Sequence, residues 1–310
     1  MDRHSLASPD STLWPPLPLE EWEPTYETVR RWAQVLGKVR TALTPPVNHW
    51  WHSSLRVTEW GLSTGPVPHG GRRFSLELSF ATHRLVLRTD EGWEGGFDLV
   101  PMTVAEFHRR TMEVLAVRNL DVRINPAPQE LGDVTPLDRD TRHVSYDPDA
   151  TARLLRILRS VDKVFQETAW GFLGKQSPSH FFWGAFDLAV TRFSGRRNPV
   201  PPADPVMGEA YSHEVISHGF WPGGDWPVGG RVGEAVFYAY AVPSPEGFAG
   251  ARVEPPQASW SAALGEFLLP YDAVRTAPDP RGALLAFMRS TYEAAADAAG
   301  WDRAALERQD

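Results

Sequence analysis

Apolar residues recur at helical spacing over 25–43, through Val29, Trp32, Val35, Leu36 and Val39, and the run stops where two prolines follow Thr44. The same period predicts helices over 102–117 (Val104, Phe107, Met112, Val114, Leu115, with Thr103 as N-cap), 149–172 (Leu154, Ile157, Leu158, Val161, Val164, Phe165) and 280–299 (Leu284, Leu285, Phe287, Met288, Tyr292). Between the first two, the pattern shortens to alternation. NHWWHSSLRVTEWGL at 48–62 reads as a strand, and FSLELSF, RLVLRT and GGFDLV follow it with Gly or Asp-Glu-Gly between them, which predicts a four-stranded antiparallel meander. LDVRI at 120–124 reads as one more strand. Beyond the third helix, 181–193 is nearly all aromatic or β-branched and reads as one central strand. EAYSHEVISHGFW, EAVFYAYAV and ASWSAALGEFLLP read as three more.

This order divides the chain. Residues 1–24, with WPPLPLEEWEP, form an extended proline-rich arm, and 25–124 make an N-terminal α+β half. Residues 125–148 are rich in Pro and Asp, lack periodicity and read as a linker, and 149–310 make a C-terminal α+β half. Helix, strands and helix recur in both halves, and His49-Trp50-Trp51 falls on His180-Phe181-Phe182 when one half is laid on the other. The expected fold class is therefore α+β: two pseudo-repeated halves, each a mostly antiparallel sheet flanked by helices, packed into one compact unit. A single large sheet wrapped around a helix is the alternative.

Composition narrows the function. At 310 residues and 42% hydrophobic content the chain can bury a full core. A net charge of −8 argues against nucleic acid as partner, and zero cysteines remove disulfides, thiolate metal sites and a cysteine nucleophile. No signal-like N-terminus and no run of eighteen apolar residues occur, so a cytoplasmic protein without membrane contact is expected. Thirteen tryptophans suggest aromatic-walled pockets.

The stretch SHFFWGAFDLAVTRFSGR at 179–196 concentrates aromatics, a histidine, two arginines and Asp187, a carboxylate among apolar neighbours that needs a partner. Together with LTPPVNHWWH at 43–52, SHEVISHGFWPGG at 212–224 and LGEFLLPYDAVRTAPDP at 264–280, it resembles an uncharacterised bacterial domain family of about this length. The resemblance implies membership and carries no reaction or catalytic residues with it.

Read residue by residue, His49, His52, His180 and His213 open or flank the aromatic segments and are candidate metal ligands for iron, zinc, manganese or copper, with Glu214 as a carboxylate partner. HEVISH is not the zinc-protease pattern, because its histidines are five apart. His213 and Glu214, as neighbours on a strand, point to opposite faces. Arg196 is the candidate substrate anchor, Asp187 and Glu214 the catalytic carboxylates, and Trp51, Trp183 and Trp221 the walls of a substrate pocket, over which the Gly-rich segment 219–230 closes. No nucleotide-cofactor motif is present. The expectation is an enzyme acting on a small organic molecule in a histidine-rich aromatic pocket, with a non-haem-iron oxidoreductase ranked ahead of a hydrolase because no nucleophile constellation is visible. Its rivals are a non-catalytic protein that holds a small ligand in the same pocket, and a structural protein using the arm and aromatic surface to hold a partner.

Overall fold

A computed structural model describes residues 13–226 and 230–308. Its organising element is α1, Leu19–Leu43, whose 25 residues extend about 37 Å at 1.5 Å each. Trp22, Tyr26, Val29, Trp32, Val35, Leu36 and Val39 are buried on it, and Glu20 and Glu21 in its first turn suit the positive end of the helix dipole. The helix begins six residues before the expected start, taking in Pro24. Pro24, the sixth helical residue, has no N–H for the Glu20 carbonyl, so the first turn joins the rest of the helix without that ladder bond. Of the expected arm, residues 1–12 lie outside the described residues, and Trp14 and Leu17 are buried.

Polar side chains of α1 are buried too, and the irregular segment 125–148 is what answers them. The Gln34 amide donates to the Gln129 carbonyl at 2.7 Å and accepts from the Gln129 N–H at 2.9 Å. Arg31 pairs with Glu27 and, at 3.3 Å, with the fully buried Asp140. The expected linker is thus strapped across the helix, its backbone groups satisfied by side chains instead of a ladder.

The N-terminal strands are β1 (Arg56–Val57), β2 (Gly61–Ser63), β3 (Val67–His69), β4 (Arg72–Ser79), β5 (Arg84–Thr89) and β6 (Glu94–Asp98). They form an antiparallel sheet in the order β1-β2-β4-β5-β6, with β3 alongside β4, and α2 (Val104–Val117) follows, its first turn capped by the Thr103 hydroxyl accepting from Glu106 N–H. Residues 48–50 form a 3-10 turn in place of the expected strand, with φ of 61° at both His49 and Trp50. Residues 120–124 carry no ladder either, so that strand expectation is corrected.

After α3 (Pro148–Thr168), the stretch expected as one strand is two, β7 (His180–Phe182) and β8 (Asp187–Arg197). Phe186 N–H bonds Phe182 O at 2.8 Å, closing a five-residue turn that needs a left-handed residue; Phe186 supplies it at φ 65°. The same turn recurs between β13 (Ser259–Ser261) and β14 (Glu266–Pro270), where Gly265 takes that place. A glycine carries the conformation without strain. At Phe186 the ring, fully buried against Phe181 and Tyr26, holds it there. With β9 (His213–Trp221) and β12 (Val236–Val242), these strands make the antiparallel order β13-β14-β12-β9-β8-β7, and α6 (Pro280–Ala298) packs against β9 and β12. Two short helices also belong to this half, α4 (Pro205–Ala210) and α5 (Tyr271–Arg275), and β10 (Gly224–Trp226) pairs with β11 (Gly230–Val232).

The fold is α+β, with two large antiparallel sheets in one unit. Leu55 and Phe181 exchange both backbone hydrogen bonds, at 2.8 and 3.0 Å, and stitch the border of one sheet to the border of the other. The residue match behind the expected repeat is not reproduced, because His49 sits in the 3-10 turn whereas His180 opens β7. Among the described residues no helix is long and apolar enough to cross a membrane.

Candidate functional site

One face of the C-terminal sheet is covered by helix. His218 on β9 points that way and meets the Thr291 hydroxyl of α6 at 2.9 Å, and burial, with Arg192 adding to it, pushes its imidazole down to about 3. The opposite face is the floor of a cavity of about 800 Å³. Strand alternation puts Asp187, Ala189, Thr191 and Phe193 of β8 there, with Tyr238 and Tyr240 of β12 and Trp221 of β9. The other walls come from far along the chain: Lys38 and Thr41 of α1, the 3-10 turn with His49, Trp50 and Trp51, Arg123 and Ile124, Asn125, Gln129 and Glu130 of the crossing segment, and Trp183 in the turn before β8.

Asp187 is 7% exposed and its Oδ2 accepts a hydrogen bond from the Tyr238 hydroxyl. Burial pushes the carboxyl up to about 7; the Tyr238 hydrogen bond works against that rise and the charge of Glu130 adds to it. Glu266, at the start of β14, is pushed up to about 8 by burial first and by Asp187 second. The Glu130 carboxyl, which lies over Gly184 where any side chain would collide with it, is raised by burial and opposed by Arg30. Tyr211 and Tyr240 share a hydroxyl hydrogen bond of 2.8 Å, and burial keeps both phenols protonated. The floor therefore holds two carboxyls able to give or take a proton near neutrality, next to phenols that donate without ionising.

The expected site residues divide. Asp187, His49, Trp51, Trp183 and Trp221 line the cavity. His49 stacks within 4.6 Å of Phe193, meets the Ala210 carbonyl at 3.1 Å and faces His213 with ring centroids 5.7 Å apart; burial lowers its pKa. Trp51 stands between the two imidazoles that had been expected to converge, with centroids 5.4 Å from His49 and 5.4 Å from His180. His180 lies behind that indole, outside the cavity wall, and burial, with Arg56 and Arg40 adding to it, pushes it down to about 4. His52 packs on Trp50 at 5.1 Å and its Nδ1 faces the Val47 N–H at 3.2 Å. Glu214 and Arg196 pair with each other at 2.7 Å, and Arg196 also donates to the Ala299 and Gly300 carbonyls, so this couple fastens β8 and β9 to the end of α6. His213 and Glu214 do point to opposite faces of β9. Among the described residues no three His, Asp or Glu side chains gather as a metal-holding group. The segment 219–230 continues from β9 into the β10–β11 hairpin, whose residues 227–229 lie outside the described residues.

The model of a family of unknown function, DUF5996, matches residues 14–308. The chain belongs to this family. Neither the curated proteins nor the solved structures give a match.

In this DUF5996 chain the residues that sequence reasoning missed are Lys38, Glu130, Tyr238, Tyr240 and Glu266. Lys38 is 8% exposed, with its ammonium 5.4 Å above the Trp183 ring. Trp183 in turn packs flat on Gly37, where a Cβ would overlap the indole, and its Nε1–H donates to Ser53 O at 2.8 Å. One signal was available: Lys38 follows Val35 by three residues and adjoins Val39, on the edge of the apolar stripe. Tyr238 and Tyr240 alternate on one strand, so their common face was legible, but not what they face.

Proposed function

We propose that this DUF5996 chain is an enzyme that acts on a small organic molecule by acid–base chemistry in the cavity over the C-terminal sheet, with Asp187 as the group that moves the proton. The observation that carries this reading is the Asp187–Tyr238 pair. A buried carboxyl balanced near neutrality and fixed by a phenol suits general acid–base catalysis, and here it lies on the floor of a half-open cavity. Tyr238 orients it, burial first and the charge of Glu130 second keep its pKa high, and Trp51, Trp183 and Trp221 supply apolar walls. Metal-dependent oxidation by iron, zinc, manganese or copper has less support, since of the four candidate histidines only His49 and His213 face each other.

The test is turnover of a small-molecule extract followed by mass spectrometry, comparing wild type with Asp187→Asn. A compound consumed by wild type, and bound but not consumed by the variant, supports the reading. A compound recovered unchanged from both identifies a binding protein instead, and the absence of any retained compound overturns the site.

A further inference from the structure

Each buried arginine of α1 has an answering oxygen. Arg30 and Arg31 pair with Glu27 at 3.0 and 2.5 Å, Arg31 also meets Asp140, and Arg40 donates to the Thr64 carbonyl. Lys38 does not. Among the described residues no carboxylate, carbonyl or hydroxyl accepts from its ammonium, although more than nine-tenths of the residue is buried. Its stem runs along the helix and its head opens into the cavity over Trp183. A cation–π contact of this kind is worth about 0.5–2 kcal/mol and leaves the N–H donors of the ammonium for a group in the cavity. Burial accordingly lowers its pKa, with no neighbouring charge to offset it.

We infer that Lys38 is the anchor for a carboxylate group of the ligand, so that the cavity takes a small organic acid with an aromatic or alkyl body. One ammonium balances the single charge of a carboxylate, whereas a phosphate dianion would keep one charge unbalanced in the cavity. The other cationic side chain lining the cavity, Arg123, stands exposed at the rim. The body of such an acid fits against Trp51, Trp183 and Trp221, and the floor, with Asp187 and Glu266, offers hydrogen-bond donors to the remainder. This rests on the cavity being a ligand site, as proposed above, and is independent of proton transfer by Asp187.

Calorimetric titration with phenylacetate, indole-3-acetate and octanoate, each beside its uncharged amide, tests it on wild type, Lys38→Met and Lys38→Gln. The two variants guard against one that fails to fold, which thermal melting detects. The expected result is that an acid of the series binds wild type and loses roughly tenfold or more in affinity in the variants, while its amide binds all three proteins alike. Equal binding of acid and amide to wild type, or undiminished acid binding in the variants, overturns the role of Lys38 and leaves the cavity as a ligand site. Failure of both acids and amides to bind overturns the ligand site, and the inference with it.

Discussion

Replacing Asp187 by asparagine makes the sharpest test of how the cavity floor is balanced. The carboxyl has its usual value in the unfolded chain and about 7 in the folded one, so between those values the native state holds the extra proton. Stability through this group therefore falls as pH rises, by about 1.4 kcal/mol per unit at most, and levels off above pH 7. The accumulated penalty is roughly 4 kcal/mol at pH 8 and nearly absent at pH 4. Wild type alone hides this, because His218 and His180 work in the opposite direction. Their folded values are depressed to about 3 and about 4, so their contribution is complete above the ordinary histidine value and is lost as pH falls. Subtracting the variant cancels the histidines. The Asp187→Asn side chain keeps the shape and a carbonyl for Tyr238, so urea unfolding from pH 4.5 to 8.5 should show the variant gaining on wild type as pH rises to about 7 and keeping that gain above it. Relief of Glu266, which Asp187 helps to raise, adds in the same sense. A stability difference that stays flat across this range, or shrinks as pH rises, would refute the assignment of a strained carboxyl to this floor.

Three further outcomes are expected. Asp140→Ala takes from Arg31 one of its carboxylates, leaving Glu27, and removes the acceptor of the His143 Nδ1 bond at 2.7 Å, so denaturant unfolding should register a loss of about 1–3 kcal/mol. Gly219→Ala puts a methyl into the ring of Tyr238 and should cost about 1–3 kcal/mol; an unchanged melting curve would show that the ring is free to move. His218→Gln keeps a polar group near Thr291 without a titrating ring, and thermal melts between pH 6.5 and 4 should lose the part of the acid-side decline that His218 causes; a decline as steep as wild type's contradicts a neutral buried imidazole.

Local patterning carried the framework well. The helical period over 25–43, 102–117, 149–172 and 280–299 corresponds to α1, α2, α3 and α6, and Thr103 caps α2 as its position suggests. Period alone misled at 181–193, because a run of apolar residues conceals a turn when its left-handed position is filled by Phe186 instead of glycine. It misled again at 48–52, where the strand-like residues adopt a 3-10 turn with two left-handed residues. At the cavity, aromatic density pointed to Trp51, Trp183, Trp221 and Asp187. Lys38, Glu130 and Glu266 were not legible, since each sits in a different part of the chain and a charge turned into a cavity reads like a solvated one until its neighbours are known. Arg196 and Glu214, read as anchor and catalyst, turn out to be partners of each other.

The exchange of backbone bonds between Leu55 and Phe181 has a bearing on the chain as a whole. It occupies one border of each sheet, leaving β6 and β13 as the outer ones, so each portion shields one side of the other from unwanted self-association. It also means that neither portion owns the shared volume: severed within 125–148 and produced separately, each fragment would carry a naked border and half a container. Recombining the fragments should restore both at once.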